Sequence, residues 1–403
     1  MGSISEFEQV PALTSIERIG SKGYVCCIFP FQLDDNYDID EVSRMLRAAY
    51  AATQRRIPAI AYEAVPDVDT KQTGVLKLQR LEDGSIEDIV IQDCTLGDGT
   101  SYFTWMKVWA KECRAQGLSI PEPVELPPAV VRDQERVMRS SGRNPGLLEN
   151  HPEYTLLPFT PSSATPKMMA QSHSAQVFYF SPESLQELKA EASPVHASVP
   201  SDQKWISTND ALSALLWRTV MKVQWPLETL EGDPPSVFNI AIDGRLRTEP
   251  PVHSDTLGCV LEYVAVSAPI RKIVGSTNIA DLAILIRKAI LKADKQFTDD
   301  LVALIEKLED VDRLVPTAFL DVPGFNCVQT SWINFKLYSL DWGSLLGYKI
   351  DAVRSPHVGI IHGLQVVLPA PPDGGVEILV GVEESCLDKL LQDPLWMKYA
   401  VPR

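Results

Sequence analysis

The stretch that decides the fold is Cys94-Thr95-Leu96-Gly97-Asp98-Gly99-Thr100, in the middle of a segment that runs from Ile89 to Cys113. A β-branched run precedes it, and aromatic and apolar residues at helical spacing follow it. This order predicts a strand, a tight glycine-rich turn and a helix. Side chains that precede the helix at such a junction lie at the mouth of a crevice, so we expect a functional site there.

The composition is that of a soluble globular protein of about two domains: 403 residues, 45% hydrophobic, 22% charged, net charge -16. No Lys/Arg-rich block is present, which argues against binding to nucleic acid or to an anionic membrane. The seven cysteines form no CxxC pair, which favours free thiols in a reducing compartment over disulfides or a metal site. The N-terminal residues do not resemble a signal peptide, and no apolar run has the length of a membrane span. We therefore expect a cytoplasmic protein that holds no metal.

Strand-like and helix-like segments recur in both halves of the chain without strict alternation, which predicts mixed α/β lobes rather than a doubly wound sheet. The predicted strands cover residues 24–32, 74–79, 86–92, 176–180, 237–242, 261–266, 328–335, 359–368 and 376–382. The predicted helices cover residues 38–56, 182–192, 281–296 and 384–391, with another that begins at Ser207.

A proline-rich segment of little periodicity begins at about residue 118. Such a segment is either disordered or packed along a surface, and we favour an ordered crossover between two lobes with a mobile middle. The predicted division is an N-terminal lobe of residues 1–170, including the crossover, and a C-terminal lobe of residues 171–403.

Several motifs stand in a fixed order along most of the chain. They are Thr95 to Ala110, Ser207 to Thr219, Asp243-Gly244-Arg245, Thr330-Ser331-Trp332, Asp341-Trp342-Gly343 and Gly374-Gly375 with Glu377. This series resembles the BAHD acyltransferase family, and the short Asp-Trp-Gly form resembles its fungal trichothecene O-acetyltransferase-like branch. The resemblance implies two chloramphenicol-acetyltransferase-like domains with a central channel, which acyl-CoA enters from one face and the acceptor from the other, in a monomer.

The resemblance also implies catalytic roles, and one of them is altered here. In the family, a His four residues before the Asp removes the proton of the acceptor hydroxyl, and Cys94 occupies that position. A thiol accepts a proton only as the thiolate, which is a minority form unless an electropositive site lowers its pKa. The family's strand that lines the reacting carbonyl corresponds to Thr330 and Trp332, with the Thr330 hydroxyl as an oxyanion donor.

Other family positions imply structural roles. Asp98 would pair with Arg245 and hold the lobes together, and Asp341 and Gly343 would fix a turn. In the family, an Asn often follows the glycine that corresponds to Gly258, and Cys259 replaces it here. Cys94 is also a small, soft residue at a strand end, and because buried cysteines are common, packing explains it more readily than a nucleophilic role.

Three histidines could supply an imidazole in place of the missing one: His357, His362 and His173. The first of them is our candidate catalytic histidine. A lone histidine is nevertheless more often a surface or hydrogen-bonded core residue than a base.

Three functions remain open. The first is acyl transfer from acyl-CoA, acetyl-CoA above all, to a hydroxyl or amine of a small molecule in specialised metabolism, with a non-standard base or with Cys94 as a covalent relay. The second is a cyclase, isomerase or lyase that needs no coenzyme and uses the channel to orient a reactive intermediate. The third is a non-catalytic binding protein.

Overall fold

The computed structural model describes residues 13–19, 27–57, 60, 62–80, 97–117, 139–161, 172–275, 278–355 and 363–403. Its α-helices are α1 Ser15–Arg18, α2 Ile39–Arg56, α3 Gly99–Gln116, α4 Pro182–Glu191, α5 Thr208–Gln224, α6 Ile270–Gly275, α7 Ala280–Lys292, α8 Lys295–Lys307, α9 Leu387–Leu390 and α10 Pro394–Tyr399. Its strands are β1 Tyr62–Pro66, β2 Leu76–Arg80, β3 Tyr154–Leu156, β4 His173–Phe180, β5 Pro235–Asp243, β6 Leu261–Pro269, β7 Leu314–Pro316, β8 Cys327–Ser331, β9 Leu364–Val367, β10 Val376–Glu383 and β11 Ala400–Pro402.

A seven-stranded mixed sheet, ordered β11-β4-β10-β9-β8-β5-β6, forms the centre of the described structure. Strand β8 runs parallel to both of its neighbours, β5 and β9, and the other pairs are antiparallel. Two small antiparallel pairs, β1 with β2 and β3 with β7, lie outside this sheet. The fold class is therefore the predicted mixed α/β class.

Alternate residues of the sheet are buried against different elements, as the two-residue period of a strand requires. On β10, Ile378 and Val380 pack with α4, α5, α6, α7 and α10, on what we call the helical face. Leu379 packs with α2, α3 and the loop of residues 332–353, on what we call the N-terminal face. Helices from before the crossover therefore cover one side of a sheet built from residues after it.

The helix starts follow from local capping chemistry. Asp38 accepts hydrogen bonds from Asp40 N and Glu41 N at the start of α2. Ser181 caps α4, whose first residue is Pro182, and Ser207 caps α5 in a reciprocal pair with Asp210. These starts confirm the boundaries that the sequence predicts for these three helices.

Three predicted elements are different in the structure. Residues 27–32 contribute only isolated bridges at Ile28 and Phe31 rather than a strand. The helix predicted over 281–296 is two helices, because Asp294 accepts from Gln296 N and Phe297 N and thereby caps α8. Strand β8 ends at Ser331, since Trp332 opens a turn. The strand predicted at 86–92 lies outside the described residues.

The described part of the crossover, residues 139–161, is held on α8 by carboxylates. Asp299 accepts hydrogen bonds from both Ser141 N and Ser141 Oγ, and Asp300 accepts from Gly146 N at 2.5 Å. Burial acts to raise the pKa of both carboxyls, but the hydrogen bonds they accept lower it below its ordinary value. The crossover is thus ordered where the structure describes it. In the described part of the chain, no helix is both long enough and apolar enough to cross a membrane.

Candidate active site

The described residues of the Gly97–Thr100 turn begin α3 in a crowded place. Asp98 is the N-cap, and its Oδ1 accepts from Ser101 N at 3.0 Å. A Cβ on Gly97 would lie 2.5 Å from the ring of Trp105, and one on Gly99 would lie 2.8 Å from the ring of Phe335. The two glycines are therefore required by close approach of their neighbours.

The Asp98 carboxylate is bound by Arg245, which follows β5 in the Asp243-Gly244-Arg245 turn. Arg245 Nη1 donates to Asp98 Oδ2 at 2.6 Å, and Nη2 donates to Oδ1 at 2.9 Å. Asp98 Oδ2 also accepts from Val260 N at 2.9 Å. The pair joins the start of α3 to the β5–β6 connection across 147 residues of sequence.

Arg245 is fully buried, and each of its nitrogens donates to an acceptor. Besides Asp98, these acceptors are Asp243 Oδ1, Ser101 Oγ, Thr256 O and Gly258 O. Burial acts to lower the pKa of Arg245, but the two carboxylates more than offset it and raise the pKa. A buried ion pair whose hydrogen-bonding groups are all satisfied is a structural clamp.

The end of β8 lies beside this turn. Thr330 is half-buried, and it shares the N-terminal face with Val328 because the two are two residues apart on one strand. Trp332 follows the last ladder residue, and its N–H donates to Val367 O at 2.8 Å. A Cβ on Gly99 would lie 3.4 Å from the Trp332 indole nitrogen. The structure therefore brings the Gly97–Thr100 turn and the Thr330–Trp332 segment together.

Two donors at this place have no partner in the part of the chain that the structure describes. Neither the Thr330 hydroxyl nor the Trp332 indole N–H has a hydrogen-bond partner among the residues that the structure describes. Beside them, Phe103 and Phe335 stack with their ring centroids 5.6 Å apart and 11° between the planes. The site thus offers free donors next to an aromatic wall, which suits an apolar substrate carrying a carbonyl.

Asp341 and Gly343 form a turn at the side of α3. Asp341 Oδ1 accepts from Gly343 N at 2.9 Å, and Oδ2 accepts from Arg114 Nη1 at 3.2 Å. Gly343 has φ of +86°, and a Cβ there would lie 2.9 Å from Arg114 Cα. Between them, Trp342 is buried against Trp109 and Phe31. Asp341 and Gly343 therefore stabilise a tight turn.

The remaining candidates are not at this site or cannot be placed. Cys94, His357 and His362 lie outside the described residues. His173 is at the start of β4, three strands away from β8 in the sheet order, which is about 14 Å at the usual strand spacing. Cys259 is buried, and its N–H donates to Glu17 Oε1 at 3.1 Å. His173 is therefore not placed to act at Thr330.

The sequence reasoning missed a buried histidine in the crossover. His151 lies between two carboxylates, with Nδ1 2.7 Å from Glu153 Oε1 and Nε2 3.3 Å from Asp300 Oδ2. It lines a pocket of about 500 Å³ and meets the ring of Phe297 edge to face. The only signal in the sequence is a His and a Glu two residues apart. Within the described ranges, no three His, Cys, Asp or Glu side chains are arranged to hold a metal ion.

The fold is that of the two-domain acyltransferases. The crystal structure of F. graminearum TRI101 in complex with coenzyme A and deoxynivalenol superposes with a TM-score of 0.75 at 18% identity, over 97% of this chain and 99% of that one. In this chain, the candidate site of the fold consists of the Asp98–Arg245 clamp at the start of α3 and the donors of Thr330 and Trp332 at the end of β8.

The chain belongs to the Transferase family, the family of the BAHD acyltransferases, which matches residues 58–395. It is 31% identical to eremophilane O-acetyltransferase ORF8 of Penicillium roqueforti over 57% of this chain and 47% of that protein. It is also 28% identical to enoyl-CoA isomerase/hydratase claC of Penicillium crustosum over 75% of this chain and 34% of that protein. The chain thus spans between about a third and a half of these curated relatives.

Proposed function

We propose that this protein transfers an acyl group, with acetyl as the favoured group, from coenzyme A to a hydroxyl or amine of a small molecule in specialised metabolism. Family membership supports a transferase, and relatives named as O-acetyltransferases of fungal terpenoids support the acyl group and the acceptor class. TRI101 structures that contain coenzyme A support an acyl-CoA donor.

One observation carries the proposal: the Trp332 indole N–H lies at the start of α3 beside Gly99, and Thr330, two residues earlier on the same face, has a hydroxyl without a partner among the described residues. Attack on a thioester places negative charge on the carbonyl oxygen, and a pre-oriented donor that costs no other hydrogen bond stabilises that charge. We assign the Thr330 hydroxyl to this role and Trp332 to the wall of the site. Asp98 and Arg245 hold the turn in place without touching substrate.

The proton of the acceptor then needs a destination, and the sequence places Cys94 where the family has its base. As a thiolate, Cys94 would take this proton directly, or would first accept the acyl group from the thioester and pass it to the acceptor. In the second route the C–S bond to coenzyme A breaks as a new C–S bond to Cys94 forms, and the coenzyme leaves as its thiolate. The acceptor then attacks this second thioester, the C–S bond to Cys94 breaks, Cys94 is regenerated as a thiolate, and the proton of the acceptor passes to the coenzyme A thiolate.

A second candidate is isomerisation, hydration or lysis of a reactive intermediate in the same site. It is favoured by the similarity to claC, which is named an enoyl-CoA isomerase/hydratase, together with the Cys at the position of the base. Both candidates place a carbonyl at Thr330, so they differ in the product rather than in the pocket.

The test is to incubate the protein with acetyl-CoA and hydroxylated terpenoid acceptors and to follow free coenzyme A and acylated product by mass spectrometry. Acylated product supports the first candidate. A product without a transferred acyl group and without release of free coenzyme A supports the second candidate: an isomer keeps the mass of the substrate, a hydrated product gains one water, and lysis gives two smaller molecules. If calorimetry detects no binding of coenzyme A, acyl transfer from a thioester and isomerisation or hydration of an acyl-CoA are both refuted.

Variants of Cys94 separate the roles of the thiol. Cys94→Ala removes transfer if the thiol is base or relay, whereas full activity in that variant excludes both. Cys94→His restores the family's base and is expected to raise the rate by about 10²- to 10⁴-fold. Cys386→Ala, a buried thiol near the C-terminal end, is the matched control and keeps the wild-type rate.

The protein is proposed to act in the cytoplasm as a monomer of two lobes, residues 1–170 and 171–403. The charge of -16 and the free cysteines support the compartment. Light scattering on the purified protein tests the monomer. Limited proteolysis tests the division, which is supported if the stable fragments correspond to residues 1–170 and 171–403 and contradicted if they do not.

A further inference from the structure

Gln329 is a buried amide without partners, one residue before Thr330. It is fully buried on the helical face of β8, and neither Oε1 nor Nε2 has a hydrogen bond in the described part of the chain. Its neighbour across the ladder, Gln365, is equally buried but fully bonded. Gln365 Nε2 donates to Gly363 O and Gly381 O at 3.0 and 2.8 Å, and Oε1 accepts from Gly381 N at 3.1 Å.

Helix α5 places two polar side chains opposite this face of β8. Ser331 Oγ donates to Asn209 Oδ1 at 3.4 Å. Ser213 lies one turn after Asn209 on the same side of the helix, and it is fully buried with an unpartnered Oγ. Helix α5 runs antiparallel to β8, since Trp217 packs on Phe238, the ladder partner of Cys327. Four helix residues advance about 6 Å and two strand residues about 6.6 Å, so Ser213 lies opposite Gln329 as Asn209 lies opposite Ser331.

These four residues form a polar row within a largely apolar layer, which is filled by side chains such as Leu212, Leu216 and Phe238. Gln329 and Ser213 do not bond each other, and three of their polar atoms are left unpaired. Buried polar groups in proteins are normally satisfied, and where protein partners are lacking, ordered water that makes two to four hydrogen bonds satisfies them.

We propose that Gln329, Ser213, Ser331 and Asn209 bind internal water between α5 and β8, and that this hydrated row fixes the end of β8 that carries Thr330 and Trp332. Gln329 is then a positioning residue for the acyl-transfer site, an assignment that rests on the function proposed above. The row supports the strand from the helical face where the ladder ends, since Ser331 and Val367 are the last paired residues of β8 and β9.

The decisive variant is Gln329→Leu, which fills the same space without polar atoms, and Gln365→Leu is its matched control. Gln329→Leu removes the amide together with the water that it binds, and replacing such a hydrated group by an apolar side chain of similar size is nearly neutral, so we expect the urea midpoint to equal or slightly exceed that of the wild type. Gln365→Leu leaves the Gly381 N–H and the Gly363 and Gly381 carbonyls without the hydrogen bonds of the Gln365 amide, so its urea midpoint is expected to fall. If Gln329→Leu falls as far as Gln365→Leu, Gln329 is an ordinary structural residue and the proposal is wrong.

Positioning is measured by hydrogen exchange in the peptide of residues 327–335. In Gln329→Leu we expect exchange there to speed up by about threefold or more, although global stability is undiminished. Unchanged or slower exchange in this peptide would overturn the proposal. Ser213→Ala tests the shared water: its effect on the midpoint is expected to be non-additive with that of Gln329→Leu, and strict additivity contradicts a common water.

Activity provides an independent measurement. The kcat of acyl transfer is expected to fall by about 10- to 100-fold in Gln329→Leu with KM for acyl-CoA nearly unchanged, because a small displacement of Thr330 acts on the transition state. If the wild type transfers no acyl group, the proposed function fails, while exchange and stability still decide whether Gln329 fixes the strand end.

Discussion

The Asp98–Arg245 clamp and the Thr330–Trp332 strand end lie side by side, yet they use their hydrogen-bonding groups in opposite ways. In the clamp, every nitrogen of Arg245 donates to an acceptor of the protein. At the strand end, the Thr330 hydroxyl and the Trp332 indole N–H have no partner within the described residues. Both segments belong to the series of motifs that resembles one family, so motifs of the same series can have different roles.

This difference indicates a structural role for the clamp and a role in the reaction for the strand end. A group whose hydrogen bonds are all satisfied in the folded protein has nothing left to offer a substrate, and a buried ion pair acts mainly through geometry. A free donor in a half-buried place lowers a barrier because no existing bond has to break first. We therefore expect loss of the clamp to unfold the protein and loss of the free donor to slow the reaction in a stable protein.

The largest expected effect is that of Arg245→Met. It leaves the Asp98 carboxylate buried without its counter-ion, and we expect the free energy of unfolding to fall by about 3 to 5 kcal/mol. Urea denaturation followed by circular dichroism measures it. The double variant Asp98→Asn with Arg245→Met also removes the charge and should recover part of the loss. A loss below about 1 kcal/mol in Arg245→Met would mean that the clamp is not structural.

The next effect is kinetic and concerns Thr330→Val, which keeps the shape of the side chain and removes the donor. We expect kcat of acyl transfer to fall by about 10² to 10³, with the urea midpoint unchanged because the hydroxyl has no partner among the described residues. Thr330→Ser keeps the hydroxyl and should retain most of the rate. An active Thr330→Val enzyme would assign the oxyanion to another donor.

Much of the fold follows from the sequence because its signals are local. Caps at Asp38, Ser181 and Ser207 determine where helices begin, and the glycine at 343 marks a turn with positive φ. The break at Asp294 was missed because the apolar period continues through it, although an Asp in this position is itself a cap signal. The partner of Asp98 was available only from the family resemblance, since 147 residues separate it from Arg245.

The parts of the site that the sequence could not predict depend on tertiary contacts. Gln329 and Gln365 are the same residue type on neighbouring strands, and the nearby backbone of Gly363 and Gly381 provides hydrogen bonds for the second alone. His151 lies in a proline-rich segment without periodicity, and its carboxylate partner Asp300 comes from α8. No local pattern records such pairs.

A third prediction concerns Glu262, which packs against Gly244 behind the clamp and is fully buried. Burial raises the pKa of this carboxyl from 4.5 to about 7, although a hydrogen bond from Thr298 acts to lower it. Between these two values the unfolded chain has lost the proton and the folded protein keeps it, so Glu262 lowers stability as pH rises from 4.5 to 7. By pH 8 this effect lowers the free energy of unfolding by about 3 kcal/mol.

Glu262→Gln removes this ionisation and keeps a polar group of the same size. Relative to the wild type, we expect the variant to gain stability at pH 8 and to differ little at pH 4.5. Urea midpoints at the two values measure this difference. Equal differences at both pH values would show that Glu262 ionises in the folded protein as it does in the unfolded chain.

The smallest effect is expected at the turn beside α3, which resembles the clamp in composition but not in burial. Asp341 and Arg114 are 42% and 47% exposed and 3.2 Å apart, so water and salt screen their charges. Arg114→Met should cost less than about 1 kcal/mol, and high salt should abolish even that. Gly343→Ala in the same turn should cost more, because φ is +86° and the new methyl would meet Arg114 Cα. If Arg114→Met proved as damaging as Arg245→Met, burial would not be what distinguishes the two Arg–Asp pairs.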